Sequence, residues 1–124
     1  ELFIVGALLA TPAEKRYSLT PPFDAGLPQD AAARLEKQID EWTLELKPMT
    51  KFIMPGGGVA GAWLHLARTV CRRAERGVVD LSNGEQLPDG VLIYLNRLSD
   101  YLFTAARWVN AKQGRGETEW RGFK

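Results

Sequence analysis

The chain has 124 residues, of which 45% are hydrophobic and 25% are charged, the balance of one ordinary globular domain. Sixteen basic and fifteen acidic residues give a net charge of +1, too low for a surface that coats nucleic acid or an anionic membrane. The single cysteine, Cys71, excludes an internal disulfide framework, and with the single histidine, His65, it cannot complete a zinc site. We therefore expect no resident metal, and any anion binding must be local.

The first segment, residues 2–10, is apolar and predicts the end of a helix. The Thr11-Pro12 pair stops it, because proline disfavours helical geometry in the residue before it. The segment is too short to span a bilayer. Residues 18–29 follow as a loop rich in proline and glycine. Since the chain opens on Glu1 within an apolar helical run, we expect a longer protein with further residues upstream.

Residues 30–46 predict a second helix that serves as scaffold. Its apolar side chains recur at the spacing of one helical face. These are Leu35, Ile39, Trp42 and Leu46.

The segment 52–58 breaks the helical pattern and leads into a third helix over residues 59–81. A fourth helix is predicted over residues 90–113, followed by a short tail with two aromatic side chains. We find no internal repeat and no series of strands. The sequence therefore predicts an all-α fold, with residues 1–124 forming a single helical-bundle domain.

The third helix combines an apolar face with a cationic one. At about 100° per residue, one sector is predicted to face the core, and it contains Trp63, Leu66, Ala67, Val70, Cys71, Ala74 and Val78. The opposite sector contains Arg68, Arg72, Glu75 and Arg76, and Arg73 points further round toward a neighbour.

Like charges at i, i+4 destabilise a helix by a few tenths of a kcal/mol, so such a row favours an anionic ligand. Guanidinium groups suit phosphate because their planar fork donates two parallel hydrogen bonds. The row therefore indicates a polyanion site, most simply for a nucleoside triphosphate. The alternatives are a solvated basic face or ion pairs with the acidic second helix.

Three further features are weaker. The Pro-Gly-Gly-Gly turn at 55–58 allows close approach of a ligand to the backbone, although a flexible helix entry is the favoured explanation. His65 lies near the arginines and is a candidate of the second rank. On the fourth helix Asn96 stands on a strip with Asp100, Phe103 and Arg107 opposite the predicted core, which suggests a hydrogen-bonding task or plain solvent exposure.

Residues 52–58, 64–76 and 94–103 together resemble the PduO-type ATP:cob(I)alamin adenosyltransferases. The arginine segment and the Leu-Asn-Arg-Leu-Ser-Asp segment at 95–100 are specific in combination. The resemblance covers nearly the whole chain in the same order. It implies a five-helix bundle that assembles as a homotrimer with active sites between subunits. It also implies transfer of the 5′-deoxyadenosyl group of ATP to cob(I)alamin, with adenosylcobalamin and triphosphate as products.

The resemblance also implies roles for particular residues. The family's ATP-contacting segment is matched by Arg72, Arg73, Ala74, Glu75, Arg76 and Asn96. Arg68 matches the arginine that supports catalysis at the subunit interface. Phe52 matches the phenylalanine beneath the corrin, which displaces the lower axial ligand and so eases reduction to cob(I)alamin.

The family's Thr-Gly-Asp-x-Gly phosphate loop and its first helix, whose aspartate pairs with the interface arginine, have no counterpart in these residues. We expect Mg²⁺ to accompany ATP, a reductase to supply the electron and an adenosylcobalamin-dependent enzyme to accept the product. The expected location is the cytoplasm, or an organelle matrix in a eukaryote. We expect neither a nucleic acid nor a membrane as partner. The alternative function is a helical binding protein that senses ATP or escorts adenosylcobalamin without turnover.

Overall fold

The computed structural model describes residues 1–123, and within them the fold consists of four α-helices and one 3-10 helix. The α-helices are Leu2–Ala10 (α1), Ala31–Glu45 (α2), Val59–Leu81 (α3) and Val91–Lys112 (α4), and the 3-10 helix is Ala13–Ser18. The prediction of an all-α fold is confirmed, with helix bounds that agree to within one residue. The 3-10 helix was not predicted, since its residues carry no apolar periodicity.

Helix α4 is the centre of the bundle, with α3 on one side and α2 on the other. Two hydrogen bonds fix the direction of α3 against α4. The Gly58 amide before α3 donates to Asn110 near the end of α4, and the Cys71 thiol donates to the carbonyl of Leu95, at 3.0 and 3.3 Å. The two long helices are therefore antiparallel.

The apolar core lies where α3 ends and α4 begins, and α1 covers it. Its buried members are Val5, Leu8, Ala31, Val78, Val91, Tyr94 and Leu95. The Tyr94 hydroxyl reaches the Glu1 carboxylate at 3.2 Å. Burial, together with the charge of Glu1, raises the pKa of Tyr94 to about 12.

Helix α2 packs on α4 through aromatic side chains. The Trp42 ring lies 5.0 Å from Tyr101 and 5.4 Å from Trp108, measured between centroids. Lys112 lies over the Trp108 ring and pairs with Glu45. The predicted α2 stripe is confirmed, because its four apolar residues are all half-buried.

The predicted core face of α3 is partly wrong. Cys71 and Val78 are buried, but Trp63, Leu66 and Val70 are exposed by 65, 50 and 47%. The face that meets α4 is rotated, because small Gly61 allows the helices to approach closely there. The buried residues on this face are Gly61, His65, Cys71 and Val78.

The rotation also moves two residues of the predicted cationic sector. Arg68 and Glu75 are half-buried against α4, whereas Arg72 and Arg76 are exposed. On α4 the strip that was predicted to lie opposite the core is wrong as well. Arg107 is buried and Asn96 is half-buried, because α4 is covered on both sides.

Within residues 1–123, no helix is long and apolar enough to cross a membrane.

Candidate functional site

Three arginines near the middle of α3 extend into solvent. Arg72, Arg73 and Arg76 are exposed, and none of them forms an ion pair within residues 1–123. Ala74, two residues from both Arg72 and Arg76 and therefore on the opposite side of α3, is also exposed, although it was predicted to face the core. The alternative in which this cationic row pairs with acidic α2 is not found in the part of the chain that the structure describes.

Glu75 and Asn96, predicted from separate segments, are brought together across the α3–α4 contact. The Asn96 side-chain amide donates to the Glu75 carboxylate at 2.8 Å. This bond joins α3 to α4 within one turn of both Arg72 and Arg76. Two of the predicted ATP-contacting residues are therefore in direct contact, and Arg72 and Arg76 lie within one turn of them.

Arg68 lies one turn before Arg72 and is held by aromatic contacts. Its guanidinium carbon lies 5.1 Å from the centroid of the Phe103 ring, and His65 meets the same ring edge-on at 5.9 Å. The Nε of Arg68 is buried and finds no hydrogen-bond partner within residues 1–123. A buried, unpartnered N–H is uncommon in proteins and marks a position where a further group is expected.

The His65 imidazole is buried beside this cation. Burial lowers the pKa of His65, the charge of Arg68 lowers it further, and Glu117 opposes both effects. The uncharged ring is consequently the favoured form near neutral pH. His65 does not project toward solvent with the arginines, so its contact with Phe103 is a packing contact.

The turn before α3 is clamped by Asn110. Its Oδ1 accepts from the Gly58 amide at 3.0 Å, and its Nδ2 donates to the Gly56 carbonyl at 2.9 Å. Gly57, at a φ of 99°, and Gly61 leave no room for a side chain beside this amide. The Gly58 N–H is thus used within the chain, and Asn110 holds the turn through two hydrogen bonds.

Phe52 stands at the same end of the bundle, on a segment fixed by its backbone. Its carbonyl accepts from the Trp120 amide, and the Met54 amide donates to the Thr118 carbonyl, both at 2.7 Å. These bonds flank an antiparallel bridge between Ile53 and Glu119. The Phe52 ring is 77% exposed and lines an open groove of about 830 Å³.

One chain does not bring all predicted site residues together. Phe52 precedes the turn that starts α3, whereas Arg72 lies about 21 Å along the helix axis from Gly58, at 1.5 Å per residue. Arg68 lies between these two places. Within residues 1–123, no group of three or more histidine, cysteine or acidic side chains could hold a metal ion.

Several residues that shape this surface were assigned no role from the sequence. The Phe103 ring packs against the Arg68 guanidinium, the Asn110 amide fixes the turn before α3, and Arg97 donates to Asn96. The signal for Asn110 was the one that singled out Asn96, a poor helix former within a helix. Arg97 stands within the Leu-Asn-Arg-Leu-Ser-Asp segment but was not assigned a role.

The described residues define an all-α bundle with a face of exposed arginines on its third α-helix. The model of the family described as cobalamin adenosyltransferase matches residues 1–109. The chain is 46% identical over 121 residues to a corrinoid adenosyltransferase from Bacillus subtilis, covering 97% of this chain and 58% of that protein. It is 45% identical over 116 residues to corrinoid adenosyltransferase MMAB from Homo sapiens, covering 91% of this chain and 45% of that protein.

A solved structure is also similar. It is a variant of the PduO-type ATP:corrinoid adenosyltransferase from Lactobacillus reuteri, complexed with cobalamin and ATP. The match has a TM-score of 0.87 and 40% identity, and covers 98% of this chain and 65% of that chain. The chain belongs to the cobalamin adenosyltransferase family, which confirms the resemblance. It spans 58 and 45% of the length of the two curated relatives.

Proposed function

We propose that the protein transfers the 5′-deoxyadenosyl group of ATP to cob(I)alamin, giving adenosylcobalamin and triphosphate. One observation carries the proposal. In a member of this family, the exposed Arg72, Arg73 and Arg76 lie within one helical turn of the Asn96–Glu75 pair and have no internal ion-pair partner within residues 1–123. A triphosphate supplies the negative charge that such a surface favours.

The reaction requires the reduced cobalt to attack C5′ of the ribose while triphosphate departs. The arginines hold the triphosphate and stabilise the negative charge that builds on it, each charge-assisted hydrogen bond contributing about 1.5–3 kcal/mol. Asn96 and Glu75 position the nucleotide beside them. Alignment of C5′ with the cobalt accounts for the remaining rate acceleration, since in-line geometry turns an encounter between two molecules into an intramolecular step.

A homotrimer with sites between subunits fits two observations. The buried Nε of Arg68 is unpartnered within residues 1–123, and α3 exposes an apolar stripe that includes Trp63, Leu66 and Val70. Contiguous exposed apolar surface of this kind marks an interaction site. In the proposed assembly Arg68 meets a carboxylate of a neighbouring subunit, and Phe52 meets the arginine surface of another copy.

Phe52 is proposed to lie beneath the corrin and to displace its lower axial ligand. Its support is the combination of an exposed ring with a backbone fixed on both sides by hydrogen bonds. A ring held in this way excludes a nitrogen ligand or water from the lower face. The resulting four-coordinate cob(II)alamin accepts an electron more readily, and a reductase partner supplies that electron.

The remaining parts of the proposal concern the setting. Mg²⁺ arrives with ATP, and within residues 1–123 no group of three or more histidine, cysteine or acidic side chains could hold it without the nucleotide. An adenosylcobalamin-dependent enzyme receives the product. The reaction takes place in the cytoplasm, or in an organelle matrix in a eukaryote, and residues 1–124 act as one helical-bundle domain.

The arginine assignment is tested in the intact protein with Arg72→Ala and Arg76→Ala. Each variant should lose at least about 100-fold in ATP-dependent formation of adenosylcobalamin, as when a donor to developing negative charge is removed. The oligomer should stay folded. Arg34→Ala is the matched control, because Arg34 is an exposed arginine in ion pairs on α2 and should leave activity unchanged. Full activity in both α3 variants would overturn the assignment.

Turnover separates the enzyme from a carrier of the same ligands. ATP, corrinoid and reductant are incubated with the protein, and triphosphate is measured. Release of triphosphate in step with adenosylcobalamin supports the transferase. Retention of both ligands without triphosphate supports the sensing or escort protein.

The Phe52 role has its own signature. Phe52→Ala should chiefly lower the yield of four-coordinate cob(II)alamin seen by absorption and magnetic circular dichroism, while affinity for ATP changes little. Phe3→Ala is the control, since Phe3 is an exposed ring on α1. An unaltered corrinoid spectrum in the Phe52 variant contradicts the axial-displacement role.

A further inference from the structure

The Asn96 amide is held between two charged side chains of opposite character. Arg97 Nη2 donates to Asn96 Oδ1 at 2.5 Å, and Asn96 Nδ2 donates to Glu75 Oε1 at 2.8 Å. A guanidinium can only donate hydrogen bonds, and an ionised carboxylate can only accept them. The amide therefore has one stable orientation, with its oxygen toward Arg97 and its nitrogen toward Glu75.

Arg97 is itself fixed from two elements. It pairs with Asp100 on α4 at 2.9 Å and lies 4.0 Å from Glu36 on α2. Its side chain is 34% exposed, less than either carboxylate. The carboxylates of Asp100 and Glu36 thus hold the guanidinium between α4 and α2. Its Nη2 also donates to Asn96, which in turn bonds to Glu75 on α3.

We propose that Arg97 is a positioning residue for nucleotide binding, acting through the orientation of the Asn96 amide. An asparagine side chain has two N–H donors and an oxygen with two lone pairs. Arg97 and Glu75 use one donor and one lone pair, which leaves one N–H on Nδ2 for the ligand. Phosphate and ribose oxygens accept that N–H. A flipped amide would face the Glu75 carboxylate with its oxygen, so the orientation matters. This role rests on the proposed function, because Asn96 is the residue proposed to contact ATP.

A double-mutant cycle on ATP affinity tests the coupling. Asn96→Ala and Arg97→Met should each weaken ATP binding about 10- to 150-fold, the range of one hydrogen bond to a charged group. The double variant should bind within about twofold of Asn96→Ala, because Arg97 acts only through the amide. Arg97→Lys, which keeps a donor-only cation, should recover part of the affinity. Arg34→Met, at an exposed ion pair on α2, is the control.

Multiplication of the two single effects in the double variant would overturn the proposal, because it would mean that Arg97 contributes to binding independently of Asn96. Failure of Arg97→Met to weaken binding would overturn it as well. A wild-type protein that binds ATP without forming adenosylcobalamin would contradict the proposed function, while the cycle on affinity would still decide the role of Arg97.

A second readout needs no nucleotide. The ¹⁵N resonances of the Asn96 side-chain amide are assigned by their disappearance in Asn96→Ala. In the wild type, the Nδ2 proton bonded to Glu75 should exchange slowly with water, and the proton left for the ligand should exchange faster. Arg97→Met should increase the exchange of the bonded proton about tenfold and shift the resonances toward those of solvated asparagine. Arg34→Met should change neither. An amide that Arg97→Met leaves unaffected would show that Glu75 alone fixes it, and the proposal would be wrong.

Discussion

Where α3 begins, backbone hydrogen bonds and one buried amide fix the chain, whereas near its middle long cationic side chains extend into solvent. The first region, here the glycine end, comprises residues 52–61 with Asn110 and the tail segment 117–120. The second, the arginine end, comprises residues 72–76 with Asn96. Both carry proposed site residues, yet they are built differently.

The difference follows from what each end is proposed to contact. A triphosphate is flexible and highly charged, so exposed guanidinium groups can adjust to it, with an oriented amide to set the register. A corrin is a large and rigid ring. An aromatic side chain below it excludes a ligand only if the distance between the aromatic ring and the corrin is fixed. The backbone bonds at Phe52 supply that fixity without burying the ring. The comparison predicts that small steric changes damage the glycine end most.

Gly61→Ala should give the largest loss of stability. Alanine normally stabilises a helix interior relative to glycine by about 0.5–1 kcal/mol. Here a methyl group would overlap the Asn110 amide, which is 4% exposed and bonded to both Gly56 and Gly58. Displacing that amide breaks both bonds, so we expect a net loss of about 2–4 kcal/mol in the free energy of unfolding, measured by urea denaturation.

Gly77→Ala is the matched control for this substitution. Gly77 lies on the same helix beyond the arginine end, and a methyl group there meets no atom within 4 Å. This variant should gain about 0.5–1 kcal/mol. Equal effects at the two glycines would remove the contrast between a clamped end and an open one.

Glu117→Gln should come next. It probes the tail segment 117–120, here called the strap, whose backbone pairs with the segment of Phe52. Arg107 is buried, and its guanidinium is neutralised by Glu117 while it donates to the Lys47 carbonyl at 2.8 Å. Removing the carboxylate charge leaves a buried cation, so we expect a loss of about 1.5–3 kcal/mol.

Glu119→Gln provides the comparison two residues further along the strap. Glu119 pairs with Lys51 at 3.3 Å, with both side chains at least half exposed. Such surface pairs contribute about 0–1 kcal/mol, and high salt weakens them. A loss at Glu119 as large as that at Glu117 would mean that the strap is held along its length and not at Arg107.

The sequence predicted the helices and the exposure of Arg72 and Arg76, because both depend on neighbours in the chain, whereas Arg68 of the same predicted sector is half-buried. Apolar spacing and the proline and glycine breakers set the helix bounds to within one residue. Residues 72–76 are close in sequence and stay close in the fold. The face of α3 that meets α4 was less predictable, because α3 is apolar on two sides. The choice between Cys71 and Trp63 as core residues depends on where Gly61 meets Asn110, a contact between residues 49 positions apart.

The arrangement of polar partners was the least predictable part. Arg107 reads as a surface residue in its local pattern, and it is buried because Lys47 and Glu117 reach it from other segments. The place of Phe52 has the same origin, since its backbone pairs with Trp120 across 68 positions. Helical periodicity describes one segment at a time and therefore cannot predict contacts between distant segments.

His65 lies between the two ends, one turn after Gly61 and less than one turn before Arg68, and it is predicted to change how stability depends on pH. Its pKa is lowered in the folded protein from the usual 6.5 by burial and by Arg68, with Glu117 in opposition. Below about pH 6.5 the unfolded chain binds a proton that the folded protein does not, so the free energy of unfolding must fall as the pH falls toward the native pKa. The slope has an upper limit of about 1.4 kcal/mol per pH unit for one proton.

We expect His65→Phe, which keeps a ring against Phe103, to lose the part of this pH dependence that His65 contributes, while the part due to the carboxylates remains. Urea denaturation of both proteins between pH 8 and pH 5 measures the difference in slope. Parallel curves would mean that the imidazole titrates as it does in water, and that the packing between the two ends is looser than the contact between His65 and Phe103 implies.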